Sequence, residues 1–121
     1  MEILSIAAKI IVAAGIYNVW LLRFGKPTPY RGGDAKNMEE EFAAYGLPAW
    51  MMKAVGFLKI ALATLLLIGF MEPGLVLPSA AGIALLMVGA LMMHVKIGDP
   101  PMRSLPALIM LGLSLLIVFM N

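Results

Sequence analysis

The chain contains no cysteine. Disulfides, thiolate metal sites and thiol redox relays are therefore excluded. Histidine occurs once, so the paired axial histidines of a b-type haem are not available. No glycine-rich nucleotide loop and no metal-binding motif is present, and no metal site is expected. Charge is scarce: 13% of residues are Asp, Glu, Lys or Arg, against about 25% in a soluble domain. The balance of nine basic and seven acidic residues is too even to suggest nucleic-acid binding.

Apolar residues fill the space these absences leave. They make up 62% of the chain, and the mean hydropathy is +0.96. A soluble globule of 121 residues could not hide so much apolar surface. The eleven Met residues read as flexible fillers of helix interfaces rather than a soft-metal path. The start, Met1-Glu2-Ile3-Leu4, lacks the basic region of a cleavable signal, so the first apolar stretch is expected to remain as a span.

Four apolar segments, near 3–24, 47–71, 75–95 and 100–120, are each long enough to cross a hydrocarbon core of about 30 Å. In lipid they must be helices, because every backbone polar group needs an internal partner. Pro48 suits a first-turn position. Glu72-Pro73-Gly74 and Gly98-Asp99-Pro100-Pro101 break the chain, with Asp99 a candidate N-cap. Pro106 belongs to the first turn of the last span or to a kink. The expected fold is all-α: one integral membrane domain, an antiparallel four-helix bundle. Small residues seven apart (Ala8/Gly15, Gly56/Ala63, Gly82/Gly89, Ala107/Ser114) suggest left-handed packing at shallow angles.

Basic residues set the orientation. Arg23, Lys26, Arg31, Lys36 and Lys53 flank or occupy the first loop, and Lys96 and Arg103 the third. The positive-inside rule then places both loops in the cytoplasm and both termini outside, with Lys9 the one contrary charge. Trp20, Trp50 and Tyr45 fall where an interfacial aromatic belt would lie. Within the loop 25–46, the stretch 25–34 should be irregular. Asn37 and Glu40 read as a capping box. Met38, Phe42 and Tyr45 form the apolar stripe of a short amphipathic interfacial helix over 37–45.

Lys59 is the residue that asks for an explanation. It lies inside an apolar run that carries no acid, and a charge in hydrocarbon demands a partner, a cavity or a task. It shares a helical face with Gly56 and Ala63, so it should point into the bundle. Counting rise per residue brings Asn18 and His94 toward the same layer as the Lys59 amine, with Tyr17 and Trp20 flanking it. These five are the candidate ligand-binding residues. Lys59 would supply charge or a hydrogen bond, His94 a titratable donor or acceptor, and Asn18 orientation. Their plainer readings are a neutral hydrogen-bonded lysine, an interfacial histidine and a packing asparagine.

Gly15-Ile16-Tyr17-Asn18, the run from Glu41 to Pro48, Val55-Gly56-Phe57-Leu58-Lys59, Leu65 to Gly69, and Gly89 to His94 follow one another in an order that resembles the DoxX-like family of small four-span membrane proteins. The resemblance implies a four-helix bundle in a bacterial cytoplasmic membrane. Many DoxX sequences place a Glu where Lys59 stands, so no role tied to an acid is carried over. Some relatives are linked to thiosulfate oxidation with quinone as acceptor, others to membrane complexes handling oxidative stress.

Three functions are compatible with these features. The first is a binding or accessory subunit whose polar intramembrane pocket takes a quinone, a lipid or a small anion. The second is a subunit of a quinone-linked membrane oxidoreductase. The third is an oligomeric transporter or channel. No catalytic motif favours an enzyme, and no cofactor is evident, although a quinone is compatible. The expected partners are the lipid bilayer and another membrane subunit or a second copy of the chain.

Overall fold

A computed structural model describes residues 3–26 and 30–120. The start of the chain and residues 27–29 of the Gly/Pro-rich stretch lie outside the described residues. Most of the remainder is helical, with no strand among the described residues. Helix α1 spans Ile3–Tyr17 and continues through a π turn, Asn18–Leu22. A short helix α2 covers Met38–Ala44. Then come α3 (Ala49–Ile68), α4 (Val76–Lys96) and α5 (Leu105–Phe119), the last two each entered through a 3-10 turn.

Helix α1 packs on α3 and α5, and α4 packs on the same two, giving a four-sided bundle with α2 laid on the end of α3. The pairs Trp20 with Gly56 and Lys9 with Phe70 join opposite ends of α1 and α3, so these two run antiparallel. Val12, Ile16, Ala63, Leu66, Ile83 and Ile117 fill the centre with almost no exposed surface.

The outside is as apolar as the inside. Ile3, Phe57, Leu85, Val95 and Phe119 are all more than 70% exposed. Four helical segments among the described residues have the length and hydropathy to cross a bilayer, and in the most enclosed of them only 39% of an 18-residue apolar stretch is buried within the protein. Such surface in water would be a large continuous apolar patch; in lipid it needs no cover. The chain is an integral membrane protein.

The small-residue pattern holds in part. A Cβ on Gly56 would sit 2.6 Å from the Trp20 ring, and one on Gly82 3.0 Å from Leu62. At Gly89 nothing lies within 4 Å, so this member of the Gly82/Gly89 pair faces open space rather than a neighbour.

Four local expectations need correction. Trp20 and Tyr45 are not belt residues: both are buried in an aromatic cluster with Phe24, Phe42 and His94, and only Trp50 is exposed. Asp99 does not cap the last span, because its carboxylate is taken by His94, Gly33 and Arg103; the 3-10 turn starts after Pro100. Pro48 stands at the N-cap of α3, one place before the first turn. The capping box is offset: Asn37 accepts from the Glu40 N–H at 2.8 Å, but Glu40 reaches back to the N–H of Lys36. Pro106 sits in the first turn of α5, where its missing N–H is harmless.

Candidate functional site

A cavity of about 490 Å³ opens at the end of the bundle that carries the first and third loops. Its floor is apolar: Gly15 and Ile16 of α1, Met87 and Ala90 of α4, and Ala107 and Met110 of α5. Its upper wall is polar: Asn18, Arg23, Tyr30, Arg31, Glu41, Lys59, His94 and Arg103. This volume is within the range of small-molecule sites, and an apolar body with a few converging polar groups is the usual composition of one.

The π turn shapes the α1 wall. One extra residue closes the ring, with the Arg23 N–H donating to the Asn18 carbonyl at 2.8 Å. Such bulges recur at functional sites because they redirect side chains without ending the helix. Here the turn carries both Asn18 and the buried Trp20. The Trp20 ring lies across Gly56, which has no Cβ to obstruct it. The Lys59 amine sits 5.4 Å from the centre of that ring, a cation–π distance.

Above the cavity, the first loop is tied to the bundle by two buried charges. Arg31 donates to the carbonyls of Arg23, Phe24 and Lys26, at 2.5 to 3.2 Å. It thus supplies positive charge and donors to the carbonyl end of α1. The same guanidinium lies 3.6 Å from Glu41, whose other oxygen accepts the Gly32 N–H. Gly33, at φ +57, offers its N–H to Asp99 and its carbonyl to Arg103. Glycine adopts this left-handed backbone without penalty.

Asp99 is the hub of the second tie. It accepts from His94 Nδ1 at 2.7 Å, from Arg103 at 3.0 Å and from the Gly33 N–H at 3.0 Å. Burial works to raise the Asp99 pKa, but these hydrogen bonds and the attraction of His94 outweigh it and hold it below the ordinary value. With Nδ1 committed to Asp99, the imidazole turns Nε2 the other way. It faces the Tyr45 hydroxyl at 3.4 Å and the cavity. Burial pushes the Tyr45 phenol above its usual range, helped by the charges of Glu41 and Asp99. Lys96 donates to the Tyr45 carbonyl at 2.9 Å.

Of the five candidate residues, Asn18, Trp20, Lys59 and His94 line this one cavity. Tyr17 does not. Its hydroxyl pairs with Thr64 at 2.7 Å on an exposed flank between α1 and α3. Glu41, Arg31, Arg103 and Asp99 escaped the sequence reading as site residues. Glu41 lies on α2 beside two acids that are exposed, and nothing in its spacing sets it apart. Arg31 and Arg103 read only as orientation charges, and Asp99 only as a cap. An acid does reach the cavity that holds Lys59, through Glu41, but no described carboxylate lies within 4.0 Å of Lys59 or Arg23.

Searches of curated proteins and of solved structures give no match. The model of the DoxX-like family matches residues 32–118. That range takes in α2 to α5 nearly whole, with Lys59, His94 and the Asp99 hub. With most of its length and three of its four spans inside the match, the chain belongs to the DoxX-like family.

Proposed function

We propose that this protein is a membrane-embedded binding subunit whose cavity takes the head of an amphiphile: a hydrogen-bond-accepting or anionic group on an apolar body. One observation carries the reading. Lys59, a cation without a close carboxylate among the described residues, lines the same cavity as Asn18 and His94, above an apolar floor. Lys59 supplies charge and donors, Asn18 an amide that can donate or accept, and His94 an imidazole whose orientation Asp99 sets. In the orientation that the basic loops favour, the cavity mouth faces the cytoplasm of a bacterial cell, and a second membrane subunit or another copy of the chain completes the complex.

The buried Asp99–His94 pair favours a second reading within the same geometry. A quinone carbonyl seated beside His94 would meet an imidazole held in fixed orientation, as in a subunit of a quinone-linked oxidoreductase whose electrons come from a partner.

Thermal melting of the purified protein in detergent tests the binding reading. The probes are a short-chain ubiquinone analogue, a short-chain phosphatidylglycerol and sulfate. A ligand at 100 times its Kd stabilises by about 2.7 kcal/mol, a clear shift of the melting temperature. Lys59→Met should abolish the shift without lowering the melting temperature of the free protein. A lysine within a membrane helix costs about 2.5–3.5 kcal/mol, more than a cation–π contact of ~0.5–2 kcal/mol returns. No shift with any probe, or an undiminished shift in Lys59→Met, would sink the proposal.

A further inference from the structure

Lys59 has cavity on two sides. Besides the larger cavity between α1, α4 and α5, a second of about 310 Å³ lies between α3 and α4 beneath α2. Most of its lining is apolar, with Val55 and Met51 of α3 facing Leu85, Leu86 and Gly89 of α4. The two cavities share Val19, Trp20, Glu41, Lys59, Ala90 and His94. The polar groups therefore stand where two apolar chambers adjoin, at the loop end of the bundle. A single-tailed ligand would leave one chamber without an occupant.

The charges narrow the head. Of the cations on the larger cavity, Arg31 is held by three backbone carbonyls and Glu41, and Arg103 by Asp99 and Gly33. Lys59 and Arg23 have no described carboxylate within 4.0 Å. Lys59, half-buried against the Trp20 ring, and Arg23, exposed, are thus the two cations on this cavity without an ion-pair carboxylate among the described residues, and they suit one phosphodiester anion. Glu41, on the shared wall, opposes a head of higher negative charge. We propose that the site holds a two-chain anionic phospholipid, its phosphate between Lys59 and Arg23 and one acyl chain in each cavity. This rests on the cavity being an amphiphile site, as argued above, and names the class of amphiphile.

Gly89 allows a direct test. A Cβ there would meet nothing within 4 Å, and the residue lines the smaller cavity, so Gly89→Leu should fill that chamber and leave the packing intact. Binding is read by native mass spectrometry of the purified protein in detergent. The probes are dioleoyl phosphatidylglycerol, its single-chain lyso form, dioleoyl phosphatidylcholine, the short-chain ubiquinone analogue and inorganic phosphate. In the wild type the two-chain phosphatidylglycerol should bind about tenfold more tightly than the lyso form, and more tightly than phosphatidylcholine or phosphate. In Gly89→Leu the preference for two chains should vanish while lyso binding stays unchanged. Gly89→Met repeats the test should the leucine variant melt early. A two-chain preference that survives both substitutions overturns the proposal, as does phosphatidylcholine or free phosphate binding equally well. Equal binding of the one-chain and two-chain forms by the wild type overturns it too, but leaves the cavity as an amphiphile site. Failure of every probe removes both readings.

Discussion

Asp99 shows how one side chain can hold two loops and aim a third group. Three hydrogen bonds converge on a carboxylate whose side chain is 4% exposed. Because its pKa is depressed in the folded protein, the stability it provides is present above the ordinary carboxyl value of 3.8 and is lost as pH falls below it. Tyr45 has the opposite sign. Its raised phenol pKa gives stability that is present below the ordinary value of 10.0 and is lost as pH rises beyond it. Melting in detergent as a function of pH should therefore fall at both extremes. Tyr45→Phe should flatten the alkaline limb and Asp99→Ala the acid one. At neutral pH Asp99→Ala should cost about 3 kcal/mol, since it leaves Arg103 and His94 without their buried partner. A pH profile of Asp99→Ala that matches the wild type would show that the hub contributes nothing to folding.

At the scale of the element, the π turn and the glycines decide where the helices touch. Gly56 is the position at which α3 accepts the Trp20 ring. A larger residue must displace a rigid aromatic, so Gly56→Leu should destabilise by about 1–3 kcal/mol and remove Trp20 from beneath Lys59. Gly15 makes an instructive contrast. A Cβ there would collide with the Met110 methyl, but that group is the end of a flexible side chain. Gly15→Ala should be close to neutral, because the gain in helix propensity of about 1 kcal/mol offsets a small displacement. Melting of the two variants side by side checks the pair. Lys59 could be turned inward from sequence because Gly56 and Ala63, at i−3 and i+4, mark the small-residue face. The π turn could not be foreseen. It adds one residue to a helical ring, and no residue type encodes that bulge.

At the scale of the whole molecule, the lipid-facing surface and the polar end are separate. The exposed apolar side chains lie along the spans, while the cavity, α2 and the two tied loops share one end. The sidedness argued from the basic loops can be tested cleanly, since a chain without cysteine accepts single-cysteine labelling. Lys36→Cys should react with a membrane-impermeant maleimide only in inside-out vesicles. Gly74→Cys, in the opposite turn, should react in right-side-out cells. The reverse pattern would invert the orientation and turn the cavity mouth to the outside.

Four apolar runs, the breakers between them and a lone lysine on a small-residue face were enough to determine an all-helical membrane bundle with an inward cation. Hydrocarbon forces helices and penalises an unaccompanied charge, so these features follow from composition and period alone. Tertiary structure decided what accompanies that cation. Glu41 comes from α2, Arg31 from the first loop, and His94 with Asp99 from the end of α4 and the third loop. These groups are brought together by loop conformations that hinge on Gly33 and on buried hydrogen bonds across 66 residues of chain. Such contacts leave no periodic trace. Only the folded chain shows that Tyr17 turns away, that Asp99 orients a histidine rather than capping a helix, and that Lys59 stands between two cavities.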